Sequence, residues 1–153
     1  MILAYSIMEN LALTNDIQTI FGFDFGLKRI GVAVGNTQIR IAHPLALISG
    51  KNKNDKFIQI KQLVNKWQPQ LFVVGMPSES DDKQELLSSI KRFGNRLTYE
   101  FKLPVTYVNE DYSSAVASDL LNEQDVRGFS QKVALDEVAA CVILNSYFSG
   151  LDI

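Results

Sequence analysis

The sequence has very few sulfur and imidazole side chains, with Cys141 as its only cysteine and His43 as its only histidine. One cysteine cannot form a disulfide within the chain, and a lone thiol fits a reducing cytosol better than an oxidising compartment. A zinc site built on cysteines is excluded as well. We expect a structural role for His43, because no second histidine or cysteine is near it, and a core position for Cys141, because it lies inside the last predicted helix.

Long apolar runs and an early basic region are also missing. No segment reaches the roughly 18 apolar residues that a membrane span needs. No Lys or Arg precedes Lys28, and Glu9 with Asn10 interrupts the N-terminal apolar stretch, so this stretch lacks the pattern of a signal peptide. We therefore expect a soluble cytoplasmic protein without a membrane partner.

The chain has no excess of positive charge either, since its formal net charge is −2. Such a molecule does not attract polyanions as a whole, so nucleic-acid binding would need a local basic surface and metal ions. The lysines from Lys51 to Lys66 either form such a surface or simply solvate a helix.

The sequence does contain enough apolar material for one compact domain. It has 153 residues, of which 46% are hydrophobic, and it shows no internal repeat or linker. We predict a single domain over residues 17–150. The N-terminal tail over residues 1–16 is the one candidate for disorder.

The apolar spacing predicts three strands, followed by helices and strands in alternation. The predicted strands are Thr19–Gly26, Ile30–Val34, Ile39–Ile48, Leu71–Gly75 and Val105–Val108. The predicted helices are Asn54–Trp67, Asp81–Phe101, one beginning at Ser113, and Ala134–Phe148, with a polar connection over Asn122–Lys132. Pro44 lacks an N–H group, which predicts a strand end, a bulge or a sheet edge. The order indicates an α/β fold with a mixed five-stranded sheet, three antiparallel strands then two parallel, and helices on both faces.

Asp24 is an acid in the middle of a predicted strand. Alternation puts three phenylalanines on one face and leaves Asp24 on the other, between Gly22 and Gly26. A ligand can approach closely beside glycines. The alternative is an acid that pairs with a nearby Lys or Arg or that ends the strand.

Two further acids, Glu110 and Asp136, occupy places where functional carboxylates collect. Glu110 follows a strand, and sites in α/β sheets gather at the carboxyl ends of strands, although a surface role is the alternative. Asp136 heads the apolar stripe of the last predicted helix, within its first turn. Its alternative role is to complement the helix dipole, an effect of about 0.3–1 kcal/mol, with Glu137 facing solvent.

Three acids on separate segments form a donor set suited to Mg²⁺ or Mn²⁺, which prefer oxygen ligands and keep several waters. Paired metals can activate the attacking water and stabilise the leaving oxygen of a phosphodiester. The spacing of Asp24, Glu110 and Asp136 along the chain does not by itself show that the three carboxylates converge.

Motifs along the chain also resemble a known family. The two strongest are Phe23-Asp24-Phe25-Gly26-Leu27-Lys28-Arg29-Ile30-Gly31-Val32-Ala33-Val34 and Asp136-Glu137-Val138-Ala139-Ala140. Between them lie Pro44-Leu45, Val73-Val74-Gly75-Met76-Pro77 and Leu103-Pro104-Val105. In this order, over about Ile20 to Phe148, the motifs resemble the YqgF/RuvX family of pre-16S rRNA nucleases, also described as Holliday-junction-resolvase-like.

The resemblance implies an RNase H-like fold with three acidic site positions, which match Asp24, Glu110 and Asp136. On this basis we expect the three residues to converge near the carboxyl ends of the strands, as catalytic and metal-binding residues. It implies a hydrolase of ester bonds that processes the 5′ end of the small-subunit rRNA precursor in the bacterial cytoplasm, with Mg²⁺ or Mn²⁺ as cofactor. Precursor rRNA, ribosomal particles and branched DNA are the implied partners, the last being the older assignment. We expect a monomer or a homodimer.

In one place the chain departs from the family pattern, which commonly reads Asp-Glu-Arg at the second acidic position. This chain reads Asn109-Glu110-Asp111, so the acid is kept and the neighbouring base is replaced by an acid. If the usual arginine holds a phosphate, the change affects substrate affinity more than metal binding. The candidate phosphate contacts are Lys28, Arg29, Arg127 and Lys132, the first two having a solvated turn as their alternative.

Two rival functions compete with a nuclease. Actin-like and sugar-kinase ATPases share an Asp-x-Gly strand turn. Those folds need two such domains and a Gly-rich adenosine-binding loop, whereas this sequence predicts one domain and contains no such loop. A non-catalytic binding module for ribosomes or transcription complexes is the other rival, and the altered motif around Glu110 is the feature that supports it. Fold alone does not choose between these functions.

Overall fold

The computed structural model describes residues 17–109 and 128–151, and for residues 128–137 it describes the backbone alone. The strands are β1 (Thr19–Phe25), β2 (Arg29–Asn36), β3 (His43–Ser49), β4 (Leu71–Met76) and β5 (Val105–Asn109). The helices are α1 (Lys53–Trp67), α2 (Gln84–Phe101) and α3 (Gly128–Gly150), with a short 3₁₀ turn at Asp81–Lys83. The predicted tail over residues 1–16 and the predicted helix beginning at Ser113 lie outside the described residues.

The five strands form one mixed sheet in the order β3-β2-β1-β4-β5. β1 pairs with β2, and β2 with β3, in antiparallel fashion, whereas β1, β4 and β5 run parallel. This confirms the predicted sheet of three antiparallel strands followed by two parallel ones. β4 is buried on both faces, as its unbroken apolar run indicates.

β3 is an edge strand with a bulge beside its proline. Val32 pairs with Ala46 while Ala33 pairs with Pro44, so Leu45 is the extra residue of β3. Pro44 cannot donate to a ladder, and at an edge strand this costs the sheet little. The prediction made from Pro44 is confirmed.

One face of the sheet carries an aromatic core beneath α1 and α2. Phe21 and Phe23 of β1 are fully buried there, together with Phe72 of β4. The Phe23 ring lies 5.5 Å from the Phe72 ring and 5.4 Å from that of Phe93 in α2, both edge-on. Edge-to-face contacts at such distances are favourable because the ring edge is positive and the ring face negative.

The opposite face is covered by α3, which packs mainly on β2 and β1. A Cβ atom at Gly22 of β1 would lie 2.8 Å from Leu144 Cβ and 3.2 Å from the Ala140 carbonyl oxygen. At Gly35 of β2, a Cβ would lie 2.8 Å from the Phe148 ring. The helix can approach the sheet this closely only because both positions lack a side chain.

The predicted start of the last helix was wrong, since α3 begins at Gly128 and not at Ala134. The polar residues up to Lys132 gave no apolar periodicity and were interpreted as a loop, although Gln and Lys are good helix formers. Asp136 therefore lies about two turns into the helix. Dipole effects fade within the first turn, so the dipole interpretation of Asp136 and Glu137 is wrong as well.

None of the helices in the described part of the chain combines the length and the apolar character that a membrane crossing requires.

Close packing at Gly22 leads to the first prediction. Gly22→Ala adds a methyl group that must displace α3, so we expect a loss of about 1–3 kcal/mol in the free energy of unfolding. Urea denaturation of both proteins measures it. Gly150→Ala is the matched control, because a Cβ at that position meets no atom within 4 Å. Equal stability of the Gly22 variant and the wild type would contradict the close contact.

Candidate active site

Asp24 lies in β1, one residue before the strand ends at Phe25. It pairs with Gly31 of β2 and is half-buried. Side chains alternate along a strand, so Asp24 shares the α3 face with Ile20 and Gly22 and not the aromatic face. This is the face that the sequence pattern predicts for the carboxylate.

The three parallel strands end at one edge of the sheet. Phe23 pairs with Val74, and Val74 with Tyr107. Two residues further on, Phe25, Met76 and Asn109 end their strands at the same level. β1 and β5 are two strand spacings apart, about 9–10 Å. The ends of β1 and β5 are therefore close enough for carboxylates that follow them to approach one ligand.

Glu110 is the residue directly after β5, and it lies outside the described residues. The backbone that leads to it is anchored, because the Asn109 side-chain amide donates a hydrogen bond of 3.0 Å to Ser78 Oγ. Ser78 follows β4, so this bond joins the ends of two neighbouring strands. The sequence analysis missed Ser78, although a polar residue just after a buried strand is a signal of this edge.

Asp136 belongs to α3, which runs antiparallel to β1. Gly35, the partner of Ile20, contacts Phe148, and Gly22 contacts Leu144 and Ala140. Two residues along β1 thus correspond to four residues, or about one turn, of α3. The lengths agree, since two strand residues rise about 6.6 Å and four helix residues rise about 6 Å. Asp136 lies one further turn along, in the direction of Asp24. Its backbone position is compatible with the predicted convergence, which stays a prediction for the side chains.

Two of the four candidate phosphate contacts lie in the turn after β1. Lys28 is exposed, and Arg29 is half-buried at the start of β2. The turn is tight, since a Cβ at Gly26 would lie 2.7 Å from the Arg29 carbonyl oxygen. Lys132 lies in α3, one turn before Asp136, and Arg127 is outside the described residues. Lys28 and Arg29 are thus at the edge that holds Asp24.

The donor chemistry at this edge suits a hard cation. Mg²⁺ and Mn²⁺ take carboxylate oxygens and waters, and Asp24 supplies a half-buried carboxylate beside small residues. Among the described side chains, no three His, Cys, Asp or Glu residues come close enough to form a metal site. The side chains of Glu110 and Asp136 lie outside the described ones, so their part in a metal site with Asp24 stays a prediction.

Among the described side chains, Asp82 and Tyr107 have shifted pKa values. A hydrogen bond from the Ser80 hydroxyl lowers the pKa of the exposed Asp82 carboxyl, in the turn between β4 and α2. Burial raises the pKa of Tyr107 in β5. The first group is therefore an anion and the second a neutral hydroxyl near neutral pH.

Comparison with known proteins gives both sequence relatives and structural neighbours. The family model "RuvX: Holliday junction resolvase" matches residues 18–150. A Neisseria meningitidis protein named "Putative pre-16S rRNA nuclease" is 44% identical over 133 residues, 86% of this chain and 88% of its own. A Chromobacterium violaceum protein of the same name is 48% identical over 128 residues, 82% of this chain and 93% of its own.

The structural neighbours share the fold at low sequence identity. T. thermophilus RuvC in complex with a Holliday junction substrate gives a TM-score of 0.55 at 14% identity, covering 87% of this chain and 94% of that one. The fowlpox virus Holliday junction resolvase gives 0.50 at 15% identity, covering 87% and 99%. These likenesses confirm the RNase H-like fold. With the family model matching nearly all of the described residues, the chain belongs to the RuvX family.

Proposed function

We propose that this protein is a metal-dependent nuclease that hydrolyses phosphodiester bonds of structured nucleic acid, and that its substrate is the 5′ end of the pre-16S rRNA. The observation that carries the proposal is the position of Asp24, a half-buried carboxylate at the edge where β1, β4 and β5 end. Relatives that are 44–48% identical and named as pre-16S rRNA nucleases support the substrate.

In this proposal, Asp24, Glu110 and Asp136 are the catalytic acids that hold Mg²⁺ or Mn²⁺. When bound, the cation activates water and stabilises charge on the phosphoryl oxygens. The carboxylates fix the position of the cation relative to the substrate phosphate. Lys28 and Arg29, in the turn after β1, neutralise neighbouring phosphates of the strand, with Arg127 and Lys132 as further contacts.

The description of the family model favours a second candidate substrate, the four-way DNA junction. Both substrates are phosphodiesters, and the same acidic set serves either one. Ribosomal particles are proposed partners only for the rRNA reaction, which takes place in the cytoplasm. A non-catalytic role remains the third candidate, supported by the replacement of the family's arginine by Asp111.

Asp24→Asn tests the enzyme hypothesis. The substitution keeps the size of the side chain and removes the charge that holds the cation, so we expect cleavage to slow by at least about 100-fold. A labelled pre-16S 5′ fragment and a four-way DNA junction, each with Mg²⁺ or Mn²⁺, measure the rate. Faster cleavage of the RNA supports the proposed substrate.

Glu100→Gln is the matched control, because it removes one acidic charge at the C-terminal end of α2. Among the described residues, Glu100 forms one ion pair, an exposed one with Arg96 at 3.4 Å, so the rate of the Glu100→Gln variant should match that of the wild type. Cleavage that persists in Asp24→Asn would come from a contaminating nuclease and would reject the enzyme hypothesis. Binding without any cleavage by the wild type would favour the non-catalytic role.

Asp111→Arg tests the departure from the family pattern at a position outside the described residues. The change restores a cation, whose guanidinium can hold one phosphate through two hydrogen bonds. We expect tighter binding and a slope of log affinity against log salt that is steeper by about 0.7 for single strands. The maximal rate should change little, because stronger ground-state binding need not stabilise the transition state.

Binding isotherms at several salt concentrations measure this effect. Asp111→Asn is the control, since it removes the negative charge without adding a phosphate ligand. Equal affinity and slope for wild type and Asp111→Arg would mean that this side chain faces away from the nucleic acid.

A further inference from the structure

A cleft of about 470 Å³ opens between α1, α2 and the turn after β1, on the face of the sheet away from α3. Phe25 and Leu27 line it from the sheet side, Lys53 and Lys56 from α1, and Arg92 and Arg96 from α2. Its volume falls within the roughly 300–1,000 Å³ typical of ligand sites. We call it the α1–α2 cleft.

The charge of this cleft is entirely positive among the described residues that line it. Four lining side chains are basic and none is acidic, and Glu100, which pairs with Arg96, lies outside the lining. Lys53 and Arg92 are exposed at the rim, and the Arg92 guanidinium donates a hydrogen bond of 3.1 Å to Ser89 Oγ. In a protein with net charge −2, this is a local basic surface of the kind that an anionic ligand requires.

The floor of the cleft is aromatic. Phe25, Phe57 and Phe93 line it, and the Arg96 guanidinium lies 4.1 Å above the centre of the Phe57 ring. A hydrogen bond of 2.8 Å to Asn54 Oδ1 holds that guanidinium in place. Phe57 and Phe93 are nearly buried, so the groups left for stacking are the half-buried Phe25 ring and the Arg96 guanidinium. Nucleobases stack on phenyl rings and on arginine planes, so these two groups offer a surface for one base.

Two walls of the cleft are joined by a hydrogen bond before any ligand binds. Lys56 is only 9% exposed, and its ammonium donates a hydrogen bond of 2.6 Å to the Leu27 carbonyl oxygen. This bond links α1 to the turn after β1. Leu27 itself is 68% exposed at the mouth of the cleft, where a large apolar side chain has no partner among the described residues. Because the cleft is already formed, its side chains lose little conformational entropy when it binds a planar ligand.

We propose that the α1–α2 cleft is a nucleotide subsite for the nucleic-acid strand. One base lies against Leu27 and the aromatic floor, and the adjoining phosphate lies between Lys53 and Arg92. The cleft begins at Phe25, one residue from Asp24 but on the other face of the sheet. If the chain is the nuclease proposed above, on which this subsite rests, the nucleic-acid strand crosses the end of β1 and enters the cleft a few nucleotides from the bond that is cut.

NMR titration of the isotope-labelled full chain in EDTA locates the site. The probes are adenosine 5′-monophosphate, adenosine and inorganic phosphate. We expect the monophosphate to shift the backbone amide signals of Leu27 and of Ser89 to Arg96, and to bind more tightly than either fragment alone. Phosphate that binds as tightly as the nucleotide would reject a base-binding floor. Shifts confined to other parts of the chain would reject the cleft altogether.

Substitutions then separate the phosphate contact from the base contact. Arg92→Gln should weaken binding of a short fluorescent single-stranded RNA about tenfold, the effect of losing one charged hydrogen-bonded contact. It should also flatten the salt slope by about 0.7. Leu27→Ser should weaken binding without changing the slope, because it removes apolar contact and no charge.

Arg40→Gln is the matched control, since Arg40 is exposed in the connection between β2 and β3, at the opposite edge of the sheet. If Arg92→Gln and Arg40→Gln lowered the RNA affinity equally, the loss would come from the change in net charge alone, and the proposal would be overturned. The proposal would also be overturned if a hexaglutamate peptide displaced the RNA at the same concentration as adenosine 5′-monophosphate does. All of these measurements are made without divalent metal, so a failure of the nuclease hypothesis does not affect them.

Discussion

The contact between α3 and β1 at Gly22 is the constraint on which the rest of the site depends. Because Gly22 has no side chain, the backbone of Ala140 and the Cβ of Leu144 lie directly on the strand. Together with the contact between Gly35 and Phe148, it fixes the height and the direction of α3 on the sheet. It therefore sets the distance between the part of the helix that contains Asp136 and the strand end that contains Asp24. A larger residue at position 22 would separate these two segments.

The two faces of the sheet carry different groups at the edge where β1 ends. Asp24 lies on the face that α3 covers, while the aromatic core and the basic α1–α2 cleft lie on the other face. The strand end at Phe25 connects them, because adjacent residues of a strand point to opposite faces. In the proposed function, a nucleic-acid strand that passes over this edge meets the proposed metal-binding acids on one face of the sheet and the proposed phosphate-binding cations on the other.

Much of the fold followed from periodicity, and the exceptions have physical reasons. Alternation in β1 predicted the face of Asp24, and Pro44 predicted the irregular edge strand, since both are local properties of the backbone. The early start of α3 was missed because polar residues can be helical without an apolar stripe. The cleft could not be predicted at all, since Lys53 and Arg92 belong to helices that are far apart in sequence and meet only by packing. The resemblance to a family, and not the periodicity, gave the roles of Glu110 and Asp136.

A crystal structure of the full chain soaked with Mn²⁺ tests the central claim most directly, because anomalous scattering locates the metal independently of activity. We expect one or two Mn²⁺ ions at the carboxyl edge of the sheet, bound by oxygens of Asp24, Glu110 and Asp136 at about 2.0–2.2 Å. If two ions bind, they should lie about 3.5–4 Å apart. Mn²⁺ bound elsewhere, or at this edge without Asp24 as a ligand, would show that Asp24 is not part of a metal site.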